Sequence, residues 1–316
     1  MIGAHYVPKD QFNGATHNFC HLYESSRPAK LNGRFDPVDI EAIAPCQFSQ
    51  QTVATNSYMK GPVAYIGGKN RIANDIIAIF PAHRTFVEVF AGGAQVLFHK
   101  EPSKVEVLND LDGDVVTFFR VCQLHHGELV RYLKFLLISR EWFDLLQAQD
   151  PNALTDVQRA ARFFYLQKNA YAGLVRKRKF GYSVAEPSRF NPDSVPQLIE
   201  ETHKRLARVQ IEQLPYEQIL KRYDRPASLF YLDPPYFGRK LYNFNFAAAD
   251  FAELAKRLAK LQGKFVLSLN DVPEVRRIFH QFHVREIELA YTAQQAAGKR
   301  FRELLITNYK PEGNTR

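Results

Sequence analysis

Cysteine is scarce in this sequence and forms no recognisable motif. The three cysteines, Cys20, Cys46 and Cys122, lie far apart, and no Cys-x-x-Cys pair occurs anywhere in the 316 residues. Spacing of this kind supports neither a structural zinc site nor a disulfide framework. We therefore predict a protein without a metal site that works in a reducing compartment, the cytoplasm.

Long apolar runs are lacking as well. Even the longest, such as residues 132–138, are interrupted by charge and fall far short of the roughly 20 residues that a membrane-spanning helix needs. The N-terminus has no basic segment followed by an apolar stretch, which a secretory signal would require. These absences predict a soluble protein with no membrane partner.

Basic charge, by contrast, is in excess. Lysine and arginine number 42 against 33 aspartates and glutamates, which gives a formal net charge of +9. This excess favours a polyanionic partner; a soluble basic protein without such a partner is the alternative. With 46% apolar residues the chain can form a packed core, as one large domain with a smaller insertion or as two small domains.

Strand and helix patterns alternate from residue 63 onward, whereas residues 1–57 show no sustained period and predict an irregular extension. Helical spacing predicts helices at 141–149, 157–168 and 251–261. Strands separated by helices are typical of an α/β fold with a mostly parallel sheet, which binds ligands at the carboxyl ends of its strands. The predicted strands are 85–89, 105–108, 209–213, 229–232, 265–269, 284–289 and 304–309.

Residues 129–204 interrupt this alternation. After two helical stretches they become basic, with seven Lys or Arg, one acid and six aromatic residues between positions 161 and 189. Such a segment suits phosphate contacts with aromatic support for bases; a solvated basic loop whose aromatics form a local core is the alternative. We predict an insertion at 129–204 that separates two parts of the main domain, 58–128 and 205–316.

The tetrapeptide Asp233-Pro234-Pro235-Tyr236 follows an apolar strand. Its prolines fix the turn and have no N–H to donate, so the Asp233 carboxylate and the Pro234 carbonyl remain as acceptors beside an aromatic ring. Two acceptors can bind the exocyclic amino group of a base and return its delocalised lone pair to nitrogen, which makes it nucleophilic. Tyr236 would stack on a base flipped out of a duplex. A structural Pro-Pro turn capped by the aspartate is the alternative.

Three earlier segments predict a nucleotide-like ligand. In Gly67-Gly68-Lys69 the glycines allow close backbone approach and the lysine can meet a carboxylate. Gly92 lies at a strand-to-helix turn after Glu88, and Asp110 follows the second strand, where a carboxylate accepts ribose hydroxyls. Asp110 as a helix cap and Glu88 as a structural carboxylate are the alternatives. The sequence lacks a Gly-x-Gly-x-x-Gly turn, which argues against a nicotinamide- or flavin-dependent oxidoreductase.

In this order, the segments resemble those of Dam-type adenine-specific DNA methyltransferases, which carry an Asp-Pro-Pro-Tyr motif. The resemblance implies an α/β fold: a Rossmann-like methyltransferase sheet with helices on both faces, plus a smaller, mostly helical DNA-recognition insertion with a basic hairpin. It also implies transfer of a methyl group from S-adenosylmethionine to N6 of adenine in double-stranded DNA. Besides 233–236, the similar segments are 65–69, 86–94, 108–112, 164–176, 267–271 and 302–306.

Individual roles follow from the resemblance and the local patterns together. The catalytic residues are those of the tetrapeptide 233–236. We expect a monomer that acts either beside a cognate restriction endonuclease or without one. The expected donor-binding residues are Tyr65, Gly67, Gly68, Lys69, Glu88, Phe90, Gly92, Asp110, Tyr216 and Asp233. The expected DNA contacts are Tyr171, Leu174, Arg176, Lys177, Arg178, Lys179, Arg189, Lys299 and Arg300.

Some positions depart from the family pattern. The segment 213–216 lacks the acid that many relatives place beside its aromatic residue, and Gln167, Lys168 and Ala172 replace polar residues typical of GATC-specific members. The usual target sequence is therefore not transferred to this chain. The alternatives are N4-cytosine methylation, an RNA substrate, and a non-catalytic DNA-binding protein on the same scaffold. The leading aspartate and the insertion before the catalytic motif favour adenine.

Overall fold

The computed structural model describes residues 59–290 and 300–311. The irregular extension predicted for 1–57 lies outside these residues, as does the segment 291–299. Every helix in the described ranges is too short or too polar to traverse a lipid bilayer.

Within the described residues seven strands form one mixed sheet, and all seven predicted strands are confirmed, with β7 beginning earlier than expected. The order across the sheet is β3-β2-β1-β4-β5-β7-β6. The first five strands are parallel, and β7 runs antiparallel to β5 and β6. In chain order they are β1 Thr85–Glu88, β2 Val105–Asn109, β3 Val209–Glu212, β4 Ser228–Leu232, β5 Lys264–Asn270, β6 His283–Ala290 and β7 Arg300–Thr307.

Helices cover both faces of this sheet, as predicted, because successive strand residues point to opposite sides. Phe86 and Tyr231 belong to one buried cluster, with α1, α2 and α3. Val87 and Phe230 belong to the other, with α8, α9 and α10. The helices are α1 Ala73–Ile77, α2 Gln95–His99, α3 Gly113–Leu124, α4 His126–Leu133, α5 Arg140–Ala148, α6 Asp156–Asn169, α7 Val195–Leu206, α8 Tyr216–Tyr223, α9 Ala248–Leu258 and α10 Pro273–Ile278.

The helices of the predicted insertion pack directly on the main domain. Helices α6 and α7 lie against α3, and α4 lies against both of them. The ring of Phe118 on α3 meets those of Phe163 and Phe164 on α6, with 5.6 Å between centroids in each pair. Both predicted helices of this region are confirmed, while its boundaries at 129 and 204 stay predictions.

The predicted basic hairpin takes the form of a loop rather than two paired strands. A single antiparallel bridge joins Ala170 to Phe180. Two backbone bonds continue it, from Tyr171 N to Lys179 O at 2.9 Å and from Gly181 N to Asn169 O at 2.7 Å. We call residues 174–189, which follow the short turn Tyr171–Gly173, the basic loop.

Candidate active site

The carboxyl ends of β1, β2 and β4 lie side by side because β1 pairs in parallel with both neighbours. Glu88 ends β1, while Asp110 and Asp233 directly follow β2 and β4. A cavity of about 550 Å³ opens at this edge, within the range of roughly 300–1,000 Å³ usual for small-molecule sites. All but Gly67 of the predicted donor-binding residues line it: Tyr65, Gly68, Lys69, Glu88, Phe90, Gly92, Asp110, Tyr216 and Asp233.

Asp233 lines the cavity, and one of its two carboxylate oxygens accepts a hydrogen bond. Lys69 Nζ donates to Oδ1 at 2.6 Å, while Oδ2 accepts no hydrogen bond from the described residues. The following residues, Pro234 and Pro235, are buried. Burial raises the pKa of the Asp233 carboxyl to about 6, against the opposing charge of Lys69. At neutral pH the turn therefore presents an ionised carboxylate with an oxygen available for a ligand.

Lys69 is only 4% exposed, and its ammonium group makes several hydrogen bonds within the site. Besides Asp233, its Nζ donates to the carbonyl of Gly67 at 3.0 Å and to the hydroxyl of Tyr236 at 3.1 Å. Three acceptors use all three ammonium protons. Burial opposes the charge, yet the carboxylates of Asp233 and Glu303 hold the pKa of Lys69 well above its usual value. In this arrangement Lys69 binds two residues of the catalytic turn, Asp233 and Tyr236.

On its other side, the hydroxyl of Tyr236 meets Glu303 of β7, at 2.8 Å from Oε2 and 3.1 Å from Oε1. Because the tyrosine oxygen accepts from Lys69, its own proton is available to Glu303. The hydroxyl of Ser268 on β5 also donates to Glu303, and both residues are buried. Glu303 was not predicted from the sequence as a site residue. The available signal was an acid within an otherwise apolar strand, since buried glutamates are rarely without a partner.

Asp110 fixes the glycine turn above the cavity. Its Oδ2 accepts from the backbone N–H of Gly92 and its Oδ1 from that of Asp112, both at 2.8 Å. Asp112, rather than Asp110, caps α3. Gly92 has a φ of +47°, and a Cβ there would lie about 3.0 Å from the Tyr65 ring, so any other residue would be strained and would displace the ring. Each oxygen of Asp110 keeps a second lone pair for a ligand hydroxyl.

Two further polar groups lie in the cavity wall. Glu88 Oε2 accepts from the backbone N–H of Leu97 in α2 at 2.8 Å, which supports the structural alternative for this residue. Burial raises the pKa of Glu88 to about 8, so it is largely protonated at neutral pH. The hydroxyl of Tyr231 is buried and has no hydrogen-bond partner among the described residues. An unsatisfied buried hydroxyl at a cavity wall marks a place for a polar group of a ligand.

Aromatic rings also line the cavity. Phe90, Tyr216 and Phe246 make a cluster, which we call the aromatic trio, with centroids 6.0, 5.8 and 5.5 Å apart. Tyr242 stacks on Tyr65 at 6.2 Å. Phe246 and Tyr242, which lie in the segment between β4 and α9, were not predicted from the sequence. The alternation of aromatic and asparagine residues at 242–246, directly after the catalytic motif, was the signal that could have identified them.

The predicted DNA contacts divide into three groups. Leu174 and Arg178 are half-buried, and Arg178 Nη2 is directed inward to Gln167 Oε1 at 3.4 Å. Lys299 and the side chain of Arg300 lie outside the described part of the chain. The exposed residues, all in or next to the basic loop, are Tyr171, Arg176, Lys177, Lys179 and Arg189.

Gln167, a departure from the family pattern, is fully buried and links the insertion to the donor segment 64–69. Its Nε2 donates to the carbonyl of Ala64 at 2.8 Å and to that of Gly173 at 2.7 Å. The same Gly173 carbonyl accepts from the N–H of Ile66 at 3.0 Å. Tyr65, which lines the cavity, is therefore held from both sides by residues of the insertion.

A family profile and several known methyltransferases are similar in sequence to this chain. The sequence profile of the D12 class N6 adenine-specific DNA methyltransferases matches residues 65–293. The chain is 25% identical over 268 residues to the type II methyltransferase M1.LlaDCHI of Lactococcus lactis subsp. cremoris, covering 78% of this chain and 94% of that one. It is 24% identical over 262 residues to the type II methyltransferase M.CviBI of Paramecium bursaria Chlorella virus NC1A, covering 79% and 100%. It is also 24% identical over 272 residues to the DNA adenine methylase of Escherichia coli, covering 78% and 94%. This chain therefore belongs to the D12 class of N6 adenine-specific DNA methyltransferases.

Proposed function

We propose that the enzyme methylates N6 of an adenine flipped out of double-stranded DNA. Asp233 and the Pro234 carbonyl hold the amino group, and Tyr236 stacks on the base. The proposal rests mainly on the hydrogen bonding of Asp233. Lys69 donates to its Oδ1 at 2.6 Å, while its Oδ2 has no partner among the described residues. A carboxylate held in place before the substrate arrives needs no rearrangement at the moment of reaction.

S-adenosylmethionine, the donor that membership of this family implies, supplies an electrophilic methyl group when bound. The residues around the cavity fit it in size and chemistry. The aromatic trio suits its adenine ring, and Asp110 has acceptor capacity for its ribose hydroxyls. The buried hydroxyl of Tyr231 suits one of its polar groups.

The amino group of adenine needs activation because its lone pair is delocalised into the ring. When Asp233 and the Pro234 carbonyl accept its two hydrogens, the nitrogen becomes pyramidal and regains a localised lone pair. The burial that raises the pKa of Asp233 to about 6 still leaves the carboxylate ionised at neutral pH, which strengthens the hydrogen bond that it accepts. The residues thus act by positioning and by electrostatic stabilisation.

The basic loop and the adjoining Tyr171 are proposed as the DNA contact. Arg176, Lys177, Lys179 and Arg189 are exposed there and suit phosphate contacts. Tyr171 is 59% exposed, as a ring that inserts beside a flipped base would be. Arg178 is proposed to support this loop from within, since its guanidinium meets the buried Gln167.

The test is to incubate the protein with unmethylated double-stranded DNA and S-adenosylmethionine and to map the modified bases by sequencing. We expect N6-methyladenine at one sequence context and none with an Asp233→Ala variant. N4-methylcytosine, methylation of RNA alone, or no modification together with intact DNA binding would each contradict the proposal.

We also propose that the monomer is the acting species, since the lysine, the carboxylate and the ring of the site all come from one chain. Light scattering of the protein bound to a DNA duplex would measure the stoichiometry. The type II relatives are consistent with a role beside a restriction endonuclease. Protection of the methylated sequence from a co-encoded nuclease tests that role.

A further inference from the structure

Glu303 lies behind the catalytic turn and outside the cavity. It is 2% exposed and is not among the cavity-lining residues. Its strand, β7, pairs with β5, which places Glu303 opposite Asn270 and close to Ser268. A charged residue at this depth requires a compensating partner, and its partners here are the residues that hold the catalytic turn.

The hydrogen bonds around Glu303 form a chain in which Lys69 donates to Tyr236 and Tyr236 donates to Glu303. Lys69 gives its three protons to Gly67 O, Asp233 Oδ1 and Tyr236 Oη. Tyr236 then has its own proton for Glu303, and Ser268 supplies a second. In this chain of hydrogen bonds Glu303 accepts from both Tyr236 and Ser268, and its Oε1 lies 3.4 Å from the ammonium of Lys69.

We propose that Glu303 is a positioning residue for methyl transfer, which fixes the Tyr236 ring through its hydroxyl and shares the charge of Lys69 with Asp233. The inference rests on the roles proposed above for Asp233 and Tyr236. Glu303 touches neither donor nor base, and it acts through the two residues that do.

The two effects have separate physical causes. The bonds from Lys69 and to Glu303 hold the Tyr236 oxygen from both sides, so the ring is set before a base arrives. Lys69 Nζ lies 3.4 Å from Glu303 Oε1 and 2.6 Å from Asp233 Oδ1, so the two carboxylates divide one positive charge. Asp233 consequently remains a stronger acceptor for the amino group than it would be if it alone faced Lys69.

This division of charge predicts a pH signature. The charge of Glu303 helps burial to raise the pKa of the Asp233 carboxyl, and Lys69 lowers it. Removing the charge of Glu303 should therefore shift the acid limb of kcat/KM to lower pH. The other titratable groups that face Asp233 are Glu88, Tyr231, Tyr236 and Tyr242. Burial raises the pKa of each, so they are largely neutral near pH 6, and the substitution replaces none of them.

Glu303→Gln tests the inference because glutamine keeps the shape and can still accept from Tyr236 while donating to Ser268. We expect donor affinity by calorimetry to be unchanged and the acid limb to move to lower pH. We expect kcat to fall by about tenfold to 10²-fold, because Asp233 alone then faces the charge of Lys69 and becomes a weaker acceptor for the amino group. Glu274→Gln on α10, an exposed residue with the same change of charge, is the matched control and should behave as wild type. Unchanged kcat and acid limb in Glu303→Gln, or a lower kcat with an unchanged acid limb, would overturn the inference.

Tyr236→Phe decides the question if Glu303→Gln fails to fold, since it keeps the ring and removes only the hydroxyl link. A loss of kcat with donor affinity retained supports the inference, and wild-type kcat overturns it. Asp233→Ala, measured in parallel, distinguishes a failure of the role proposed for Glu303 from a failure of the proposed function. If that variant is inactive while Glu303→Gln is unaffected, only the role of Glu303 fails; if it is active, the proposed function fails.

Discussion

Replacing the buried Gln167 by methionine should loosen the donor segment without altering any residue of the cavity. Methionine has a similar length but cannot donate, so the bonds to Ala64 O and Gly173 O are lost. Gly173 O keeps its bond from Ile66 N, whereas Ala64 O has no other hydrogen bond from the described residues. The substitution therefore removes these two hydrogen bonds and the one from Arg178 Nη2 to Gln167 Oε1, and it leaves one half-buried carbonyl unsatisfied.

The size of the effect follows from these losses. A hydrogen bond contributes about 0.5–1.5 kcal/mol net and an unsatisfied buried group costs about 1–3 kcal/mol. Because Ala64 and Arg178 are only half-buried, water can partly satisfy the groups that are freed. We therefore expect Gln167→Met to lower the free energy of unfolding by about 2–3 kcal/mol, at the lower end of the range that these losses give, which reduces Tm by about 5–10 °C in a domain of this size. Because Tyr65 lies between the two tethered points, the donor Kd should rise by at least about tenfold, or about 1.4 kcal/mol.

Thermal unfolding and donor calorimetry measure both quantities. Gln147→Met on α5 is the matched control, since that side chain is exposed and makes no hydrogen bond with the described residues; such changes usually alter stability by less than about 0.5 kcal/mol. If Gln167→Met matched this control in Tm and donor Kd, the insertion would not support the donor segment and the reasoning would fail.

Three further predictions concern the carboxylates and the basic loop. Since burial raises the pKa of Asp233 to about 6 and the ionised form accepts the amino group, kcat/KM should fall as pH drops through about 6; a flat profile across that range would refute this. Asp110→Asn should weaken donor binding by about tenfold in calorimetry, through the loss of a charge-assisted acceptor, with DNA affinity unchanged; an unaltered donor Kd would remove its ribose role. Lys177→Ala combined with Lys179→Ala should reduce the slope of log K against log salt for DNA binding by about 2, roughly one for each phosphate contact. An unchanged slope would show that the loop does not contact the backbone.

The strands and the catalytic turn could be predicted from the sequence because their signals are local. The central strands are short, mainly apolar runs and the others carry apolar residues at intervals, while the prolines of Asp233-Pro234-Pro235-Tyr236 mark where β4 must end. The carboxylates at 88, 110 and 233 come together because parallel strands end at one edge. The order of strands across the sheet, with β7 between β5 and β6, has no such local signal and was not predicted.

Residues that act through distant partners could not be identified in this way. Glu303 meets Tyr236 across 67 positions, and Gln167 meets Ala64 across 103. In the sequence, Gln167 was noted only as a departure from the family pattern in the segment expected to contact DNA. That its side chain points inward depends on how α6 packs against the rest of the domain. Lys69 was expected to meet the donor carboxylate, but its direction toward Asp233 follows from a contact 164 positions away.

The central claim is that Asp233 activates the adenine amino group. Single-turnover methyl transfer to DNA, measured for Asp233→Ala beside calorimetric titration of the donor, tests it most directly. We predict a loss of the transfer rate of about 10³-fold or more, with donor affinity retained because Phe90, Asp110 and Tyr216 are unchanged. Wild-type transfer by Asp233→Ala would contradict the account.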